Sequence, residues 1–145
     1  MKISAILGQK PVSDVSWITP SSTVTQALKS LADKGIGTLL ISTDGKLADG
    51  ILSERDIVRA LSRQGNAALS LTVDQIMTAR PVTCTRDDNS GSVLVKMTEG
   101  RFRHMPVTET DGTLVGLVSI GDIVKAHLSD LEQEREALVE MISGR

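Results

Sequence analysis

Within one longer pattern that this 145-residue chain carries twice, a serine is followed three residues later by an aspartate: "GILSERDIVRAL" from Gly50 and "GLVSIGDIVKAHL" from Gly116. Ser53/Asp56 and Ser119/Asp122 can do two kinds of chemistry. One is structural: Ser-x-x-Asp ahead of an apolar helical run is a capping box. The serine satisfies an orphan backbone N–H, and the acid suits the positive end of the helix dipole. The other is ligand binding. A carboxylate accepts two neighbouring hydroxyls, and a helix N-terminus draws phosphate through its N–H groups. The two roles do not compete, because one helix end can be capped and still face a phosphate.

A basic cluster forms the second set of candidates. "RFRHMPV" brings Arg101, Arg103 and His104 together at a strand start, in a chain of formal net charge −2. Such a group holds a phosphate in a groove, or else it is a solvated strand edge charged against aggregation. Arg55 lies inside the first motif where the second has Gly121; it adds a phosphate contact or stands as an exposed first-turn cation.

Catalytic candidates are weaker. No phosphate-binding G-x-x-x-x-G-K-[ST] loop is present, and "GIG" at 35–37 lacks a third glycine and follows a helical pattern where a strand is required. His104, His127 and Cys84 have no metal-ligand spacing, so no metal is expected. Cys84 sits in the apolar "VTCTR" and reads as a small core residue; Met77, Met97 and Met105 fall on core-pattern positions.

The elements that position these residues follow from a repeat. At an offset of 66 residues, Gly50, Ser53, Asp56, Ile57, Val58 and Ala60 are matched by Gly116, Ser119, Asp122, Ile123, Val124 and Ala126. Val24, Ala27, Leu28 and Leu31 carry helical spacing, continued by Val93, Leu94 and Met97 in the second copy. Short apolar runs at 38–41 and 104–107 precede Asp-Gly turns, with second strands expected at about 47–52 and 114–118. The expected fold class is α+β: two pseudo-symmetric β-α-β-β-α repeats packed sheet to sheet, plus a C-terminal helical extension. The division is 9–63, a linker at 64–72, 73–130, and a helical tail at 131–145. Each repeat is small for independent stability, so the two share one pseudo-twofold axis and bring their helix N-termini close together. In the tail, Leu128, Leu131, Arg135, Leu138 and Ile142 alternate by three and four. They either cover their own domain or contact a second copy.

Composition narrows the function. With 40% hydrophobic and 23% charged residues, the chain reads as soluble and globular. Trp17 and Phe102 are its only aromatics and its net charge is small, which argues against a nucleic-acid partner. A single cysteine permits no internal disulfide and fits a reducing compartment. No apolar run nears the roughly 18 residues of a membrane span, and the first residues lack a signal-peptide layout. A whole cytoplasmic protein with no membrane partner is expected.

The duplicated unit, ending in Gly-apolar-apolar-Ser-x-x-Asp, resembles a tandem pair of CBS (cystathionine β-synthase) domains, the Bateman module. The resemblance covers about residues 9–130, and "DQIMTARPVT" resembles the usual lead-in to a second domain. It implies an adenosyl ligand in the inter-domain cleft: AMP, ADP, ATP, S-adenosylmethionine or NAD(H). Asp56 and Asp122 would take ribose hydroxyls. Ser53, Ser119, Arg103, His104 and Arg55 would take phosphate. Ile18, Thr19, Thr78, Pro81 and Val82 would hold adenine. Because Gly37 and Thr38 stand where the second copy has Arg103 and His104, the two sites are expected to be unequal. The resemblance further implies a non-enzymatic sensory module that regulates an unidentified partner protein, commonly as a flat homodimer formed through the helices flanking the hairpins. The alternative is a non-catalytic interaction subunit with degenerate nucleotide pockets.

Overall fold

A computed structural model describes residues 1–8 and 15–144. The expected start of the first repeat at residue 9, and Arg145 at the end of the tail, lie outside the described residues. In chain order the elements are α1 (Ile3–Leu7), β1 (Trp17–Ile18), α2 (Val24–Lys34), β2 (Thr38–Ile41), β3 (Gly50–Ser53), α3 (Glu54–Gln64), β4 (Thr78–Ala79), α4 (Ser90–Gly100), β5 (His104–Thr108), β6 (Leu114–Ser119) and α5 (Ile120–Ile142). Two short 3-10 segments, Gly65–Ser70 and Val73–Gln75, connect α3 to β4. The fold is α+β and twofold repeated, with a long C-terminal helix.

The limits of α2 and the start of α4 have visible causes. Thr23 and Gln26 close a capping box at the start of α2, and Gly35 ends it in the left-handed region at φ 62°. Val24, Ala27 and Leu31 are buried from α2, whereas Leu28, expected on the same stripe, stays 36% exposed. The buried stripe is therefore narrower than the spacing suggested. Asn89 caps α4, which buries Val93 and Met97.

The strands make two sheets. The first has the order β1-β2-β3-β4, with β1 parallel to β2 and the other pairs antiparallel. The second pairs β5 with β6, and Cys84 bridges in parallel to Val107 just as Ile18 lies beside Ile41. On β2, Leu39 and Ile41 enter a core with Val24, Leu31, Leu52 and Ile57. Leu40 points the other way by strand alternation and is also fully buried, and its counterpart Pro106 is buried too. The faces of both central strands turned away from their own cores are thus covered. The expected strand at 47–52 begins only at Gly50; Leu47 instead bridges to Thr113 of the other hairpin.

That bridge lies beside the pseudo-twofold axis, since the Asp-Gly turns at 44–45 and 111–112 make Leu47 the counterpart of Leu114 and Thr113 that of Lys46. Thr38 and His104 are the same position in the two repeats, and they are joined by a hydrogen bond of 3.1 Å between Oγ1 and Nδ1 across 66 residues. A residue meets its own counterpart only on the axis.

Packing divides the chain differently from repetition. Ile3 and Leu7 of α1 belong to the second core, with Val93, Met97, Met105, Val107, Val118 and Ile123. Val73 belongs to the first core, and Ile76 and Met77 pack against it. The segment preceding each repeat therefore docks on the other one. Backbone bonds repeat this exchange: Ile3 N–H to Asp88 O (2.9 Å) mirrors Val73 N–H to Ser22 O (2.8 Å), and Ser90 N–H to Met1 O (2.8 Å) mirrors Val24 N–H to Leu71 O (2.9 Å).

Candidate functional site

Two clefts flank the axis. The larger, about 670 Å³, takes Ser53, Arg55 and Asp56 from the β3–α3 junction. Thr78, Pro81 and Val82 come from the segment leading into the second repeat, and Arg103 and His104 from the start of β5. Eight residues singled out in the sequence thus meet in one cavity. The smaller, about 330 Å³, holds Ser119 and Asp122 with Leu7, Val15, Ser16, Ile36, Gly116 and Leu117. Gly37, Thr38 and His104 line both clefts, so the axis pair is their common wall.

Ile18 and Thr19 line neither cleft among the described residues. Ile18 packs against the first core, and the exposed Thr19 shares a hydrogen bond with Ser22. Applying the 66-residue offset to Pro81 and Val82 gives Val15 and Ser16, and those two do line the smaller cleft. The adenine-side expectation thus rested on two windows that are not equivalent: the edge of the cleft lies ahead of β1, not on it.

Each Ser-x-x-Asp forms the cap that its spacing suggested, and the cap holds the aspartate on the cleft wall. In the second repeat Ser119 N–H donates to Asp122 Oδ2 (3.0 Å), and Asp122 N–H donates to Ser119 Oγ (3.0 Å). In the first, Ser53 donates to Asp56 Oδ2 with both its N–H (2.8 Å) and its hydroxyl (3.2 Å). Both bonds to Asp56 use one oxygen of a carboxylate that has about four acceptor sites. The half-buried side chain is fixed while acceptor capacity remains.

The motif glycines belong to the exchange of segments. A Cβ on Gly50 would lie 2.2 Å from Met77 Sδ, and one on Gly116 would lie 3.3 Å from Leu7. Each glycine therefore lets the other repeat's lead-in cross close to the strand that carries the serine.

Charge differs between the described linings of the two clefts. Arg55, Arg59, Arg80, Arg101 and Arg103 line the larger one, opposed by Glu54 and Asp56. None of these arginines is in an ion pair among the described residues. The described lining of the smaller cleft has Asp122 and no lysine or arginine. Arg80 and Arg101 are the two described non-glycine residues with positive φ, at 49° and 57°. Left-handed backbone costs about 1–2 kcal/mol for a residue with a Cβ. The first repeat ends the matching helix on Gly35, so Arg101 holds a conformation that its counterpart leaves to glycine. Strain of this kind collects at ligand sites. Arg103 is anchored from behind, its carbonyl accepting from Ile120 N–H at 2.9 Å.

Sequence reasoning included Arg101 in the basic cluster but gave Arg59 and Arg80 no role. Arg59 was visible only as a charge shared with Lys125, and an isolated arginine in "MTARPV" carries no local signal for Arg80. Cys84 is a core residue at 2% exposure, and its Sγ donates to Pro106 O at 3.8 Å. Burial and then the nearby Asp88 carboxylate push its thiol up to about 11. Among the described residues no group of His, Cys, Asp and Glu is arranged to hold a metal ion, and no helix is long and apolar enough to cross a membrane.

Comparison with known proteins matches this geometry to a family. The family model for the CBS domain fits residues 4–63 and 73–129. A mitochondrial CBS domain-containing protein of Arabidopsis thaliana is 34% identical over 132 residues, which are 88% of this chain and 64% of that protein. The chain thus spans less than two thirds of that relative's length. Among solved structures, a CBS-domain containing protein from Agrobacterium tumefaciens superposes with a TM-score of 0.81 at 35% identity, over 88% of this chain and 99% of that one. A CBS domain protein from Pyrobaculum aerophilum complexed with AMP gives 0.71 at 27% identity, over 84% and 89% of the two chains. A CBS domain pair in complex with methylthioadenosine and S-adenosyl-L-methionine gives 0.75 at 25%, over 88% and 99%.

Proposed function

The chain belongs to the CBS domain family, and from that membership we propose that it is a regulatory module whose larger cleft binds a phosphate-bearing adenosyl ligand. The observation that carries this reading is the set of five arginines without ion pairs on the Asp56 cleft. Guanidinium groups bind phosphate by charge-assisted, often bidentate hydrogen bonds, and the N-terminus of α3 adds its own N–H groups and dipole. Arg103 and Arg55, with Arg80 and Arg101 beside them, face the phosphates together with His104 and Ser53. Asp56 accepts from the ribose hydroxyls, and Thr78, Pro81 and Val82 flank the adenine. Relatives of the same fold crystallised with AMP, or with methylthioadenosine and S-adenosyl-L-methionine, support the adenosyl class.

Within that class the arginines favour AMP, ADP, ATP or NAD(H) at the Asp56 cleft. The Asp122 cleft, with Ser119 at its cap, is the weaker phosphate site. The module is read as a sensor and not an enzyme: its cleft sets arginines around a capped helix end, Asp56 is tied to Ser53, and the chain's one thiol is buried in a core. Occupancy regulates a partner protein, in the cytoplasm and as a homodimer, and regulation requires the ligand to bind two conformations with different affinity.

Mass spectrometry of the protein as purified would identify a carried-over nucleotide. Thermal shift against AMP, ATP, NADH and S-adenosylmethionine then ranks the ligands, with about 2.7 kcal/mol of stabilisation at one hundred times the dissociation constant. No shift with any of the four overturns the reading and leaves an interaction subunit with degenerate pockets.

A further inference from the structure

The family match ends at residue 129, but α5 continues without a break to Ile142. Ile123 is the only buried residue of this helix, and every described residue from Leu128 onward is exposed. The tail therefore does not cover its own domain, one of the two expectations for it. What it exposes is ordered. Leu128, Leu131, Leu138 and Ile142 are 62%, 60%, 56% and 85% exposed, and with Arg135 they fall at alternating spacings of three and four. That is the a/d seam of a coiled coil. Val124, 46% exposed and one turn ahead of Leu128, carries the seam back to the module surface. A lone helix of this length is marginal in water, and a contiguous exposed apolar strip on a soluble chain marks a contact surface.

We propose that residues 128–142 pair with the same segment of a second copy as a parallel, in-register two-stranded coiled coil. The charges select this occupant and this direction. With Leu128, Arg135 and Ile142 at a and Leu131 and Leu138 at d, the flanking e positions are Glu132 and Val139, and the g positions include His127 and Glu134. Parallel pairing sets each g residue against the e residue five places on in the other copy. Glu134 then faces Val139 and Glu132 faces His127, so no carboxylate is opposed by another. Arg135, already 3.1 Å from Glu132 of its own helix, faces Arg135 of the second copy across the seam, and Glu134 of each copy comes beside the other's guanidinium, so four carboxylates surround the two cations. Asp130, Glu136 and Glu140 fall at c, b and f and remain in water. A polar residue at a single a position also fixes register, because a slip of one heptad would place Arg135 against Leu128 or Ile142.

The pairing does not depend on nucleotide, so its test is separate from that of the cleft. In the full chain, Leu131→Cys and Leu138→Cys each place a thiol at d, and Gln133→Cys places one at the outer f position. Under mild oxidation, each d variant is expected to cross-link to itself, doubling its mass on a non-reducing gel. The f variant is expected to remain single, as is the parent chain, whose only thiol is buried. Cross-linking in a mixture of Leu128→Cys and Leu138→Cys chains, without self-linking of either d variant, would mean antiparallel pairing, in which a faces d, and overturn the proposal. No link in any variant also overturns it and leaves the seam to a different protein. A dimer held only through the modules would not distinguish d from f. Unchanged nucleotide binding in the same variants shows that a failure concerns the tail and not the cleft.

Discussion

At the scale of single residues, Arg101 and Arg103 make opposite demands on the fold. Arg103 sits just ahead of β5 with no left-handed strain, and its truncation removes a charge-assisted contact worth about 1.5–3 kcal/mol. Arg103→Ala is therefore expected to weaken nucleotide binding by roughly 10- to 100-fold with little change in melting temperature; calorimetric titration and thermal melts read the two effects. Arg101→Gly removes a cation and also a left-handed strain of about 1–2 kcal/mol. It should bind nucleotide more weakly yet melt at a higher temperature than the parent. A variant that melted lower would show that Arg101 is held by something other than the cleft. Cys84 gives a third expectation. Burial raises its thiol from 9.0 to about 11, so it should resist alkylation at neutral pH until the protein unfolds. The unfolded chain loses this proton near pH 9 while the folded one keeps it to about 11, so stability falls as pH rises across that window. The Ser-x-x-Asp pairs were legible because a cap is written in four consecutive residues. Arg80 was not, because its role depends on a left-handed backbone that "TARP" does not announce.

At the scale of elements, the sequence showed where strands and helices recur but not what they lie against. Leu28 fits the helical period of α2 and still faces out, because the surface that covers Val24 and Leu31 is only one stripe wide. Ile18 was legible as a strand residue, but its side chain serves the core, and the neighbours ahead of it form the cleft edge. Gly50 shows the same limit. Its period identifies it as part of the motif, yet the reason for glycine is Met77, which arrives from 27 residues downstream. Gly50→Ala sets its Cβ 2.2 Å from Met77 Sδ, whereas Gly116→Ala meets Leu7 at an easier 3.3 Å. Overpacking of this kind costs about 1–3 kcal/mol, so the first substitution should destabilise more than the second under urea denaturation. If the close approach is the cause, the Gly50→Ala penalty shrinks in a Met77→Ala background, and a double-mutant cycle measures that coupling. Strictly additive effects would place the role of Gly50 elsewhere.

At the scale of the whole molecule, the exchanged lead-in segments make two repeats into one folding unit. Each repeat reads from the sequence as small for independent stability. Packing gives a second reason: a fragment of residues 1–70 would carry the first repeat without Val73, Ile76 and Met77, and with α1 detached from the core that receives Ile3 and Leu7. The complementary fragment, 71–145, would lack α1 and carry a lead-in whose docking surface is gone. Losing one large buried aliphatic side chain costs about 2–5 kcal/mol, which is a large part of the 5–15 kcal/mol that holds a domain together. Each fragment alone is therefore expected to show little native structure by circular dichroism. Mixed, they should recover the native spectrum, because each supplies the segment the other lacks. In the intact chain Ile3→Ala should expose amides of β5 and β6 to hydrogen exchange before those of β2 and β3, although Ile3 precedes the first repeat. Both clefts are walled by both repeats and share Thr38 and His104, so the reassembled pair should also regain nucleotide binding that neither fragment has. A 71–145 fragment that folded and bound nucleotide on its own would show that the exchange is a contact between finished domains and not the means by which they finish.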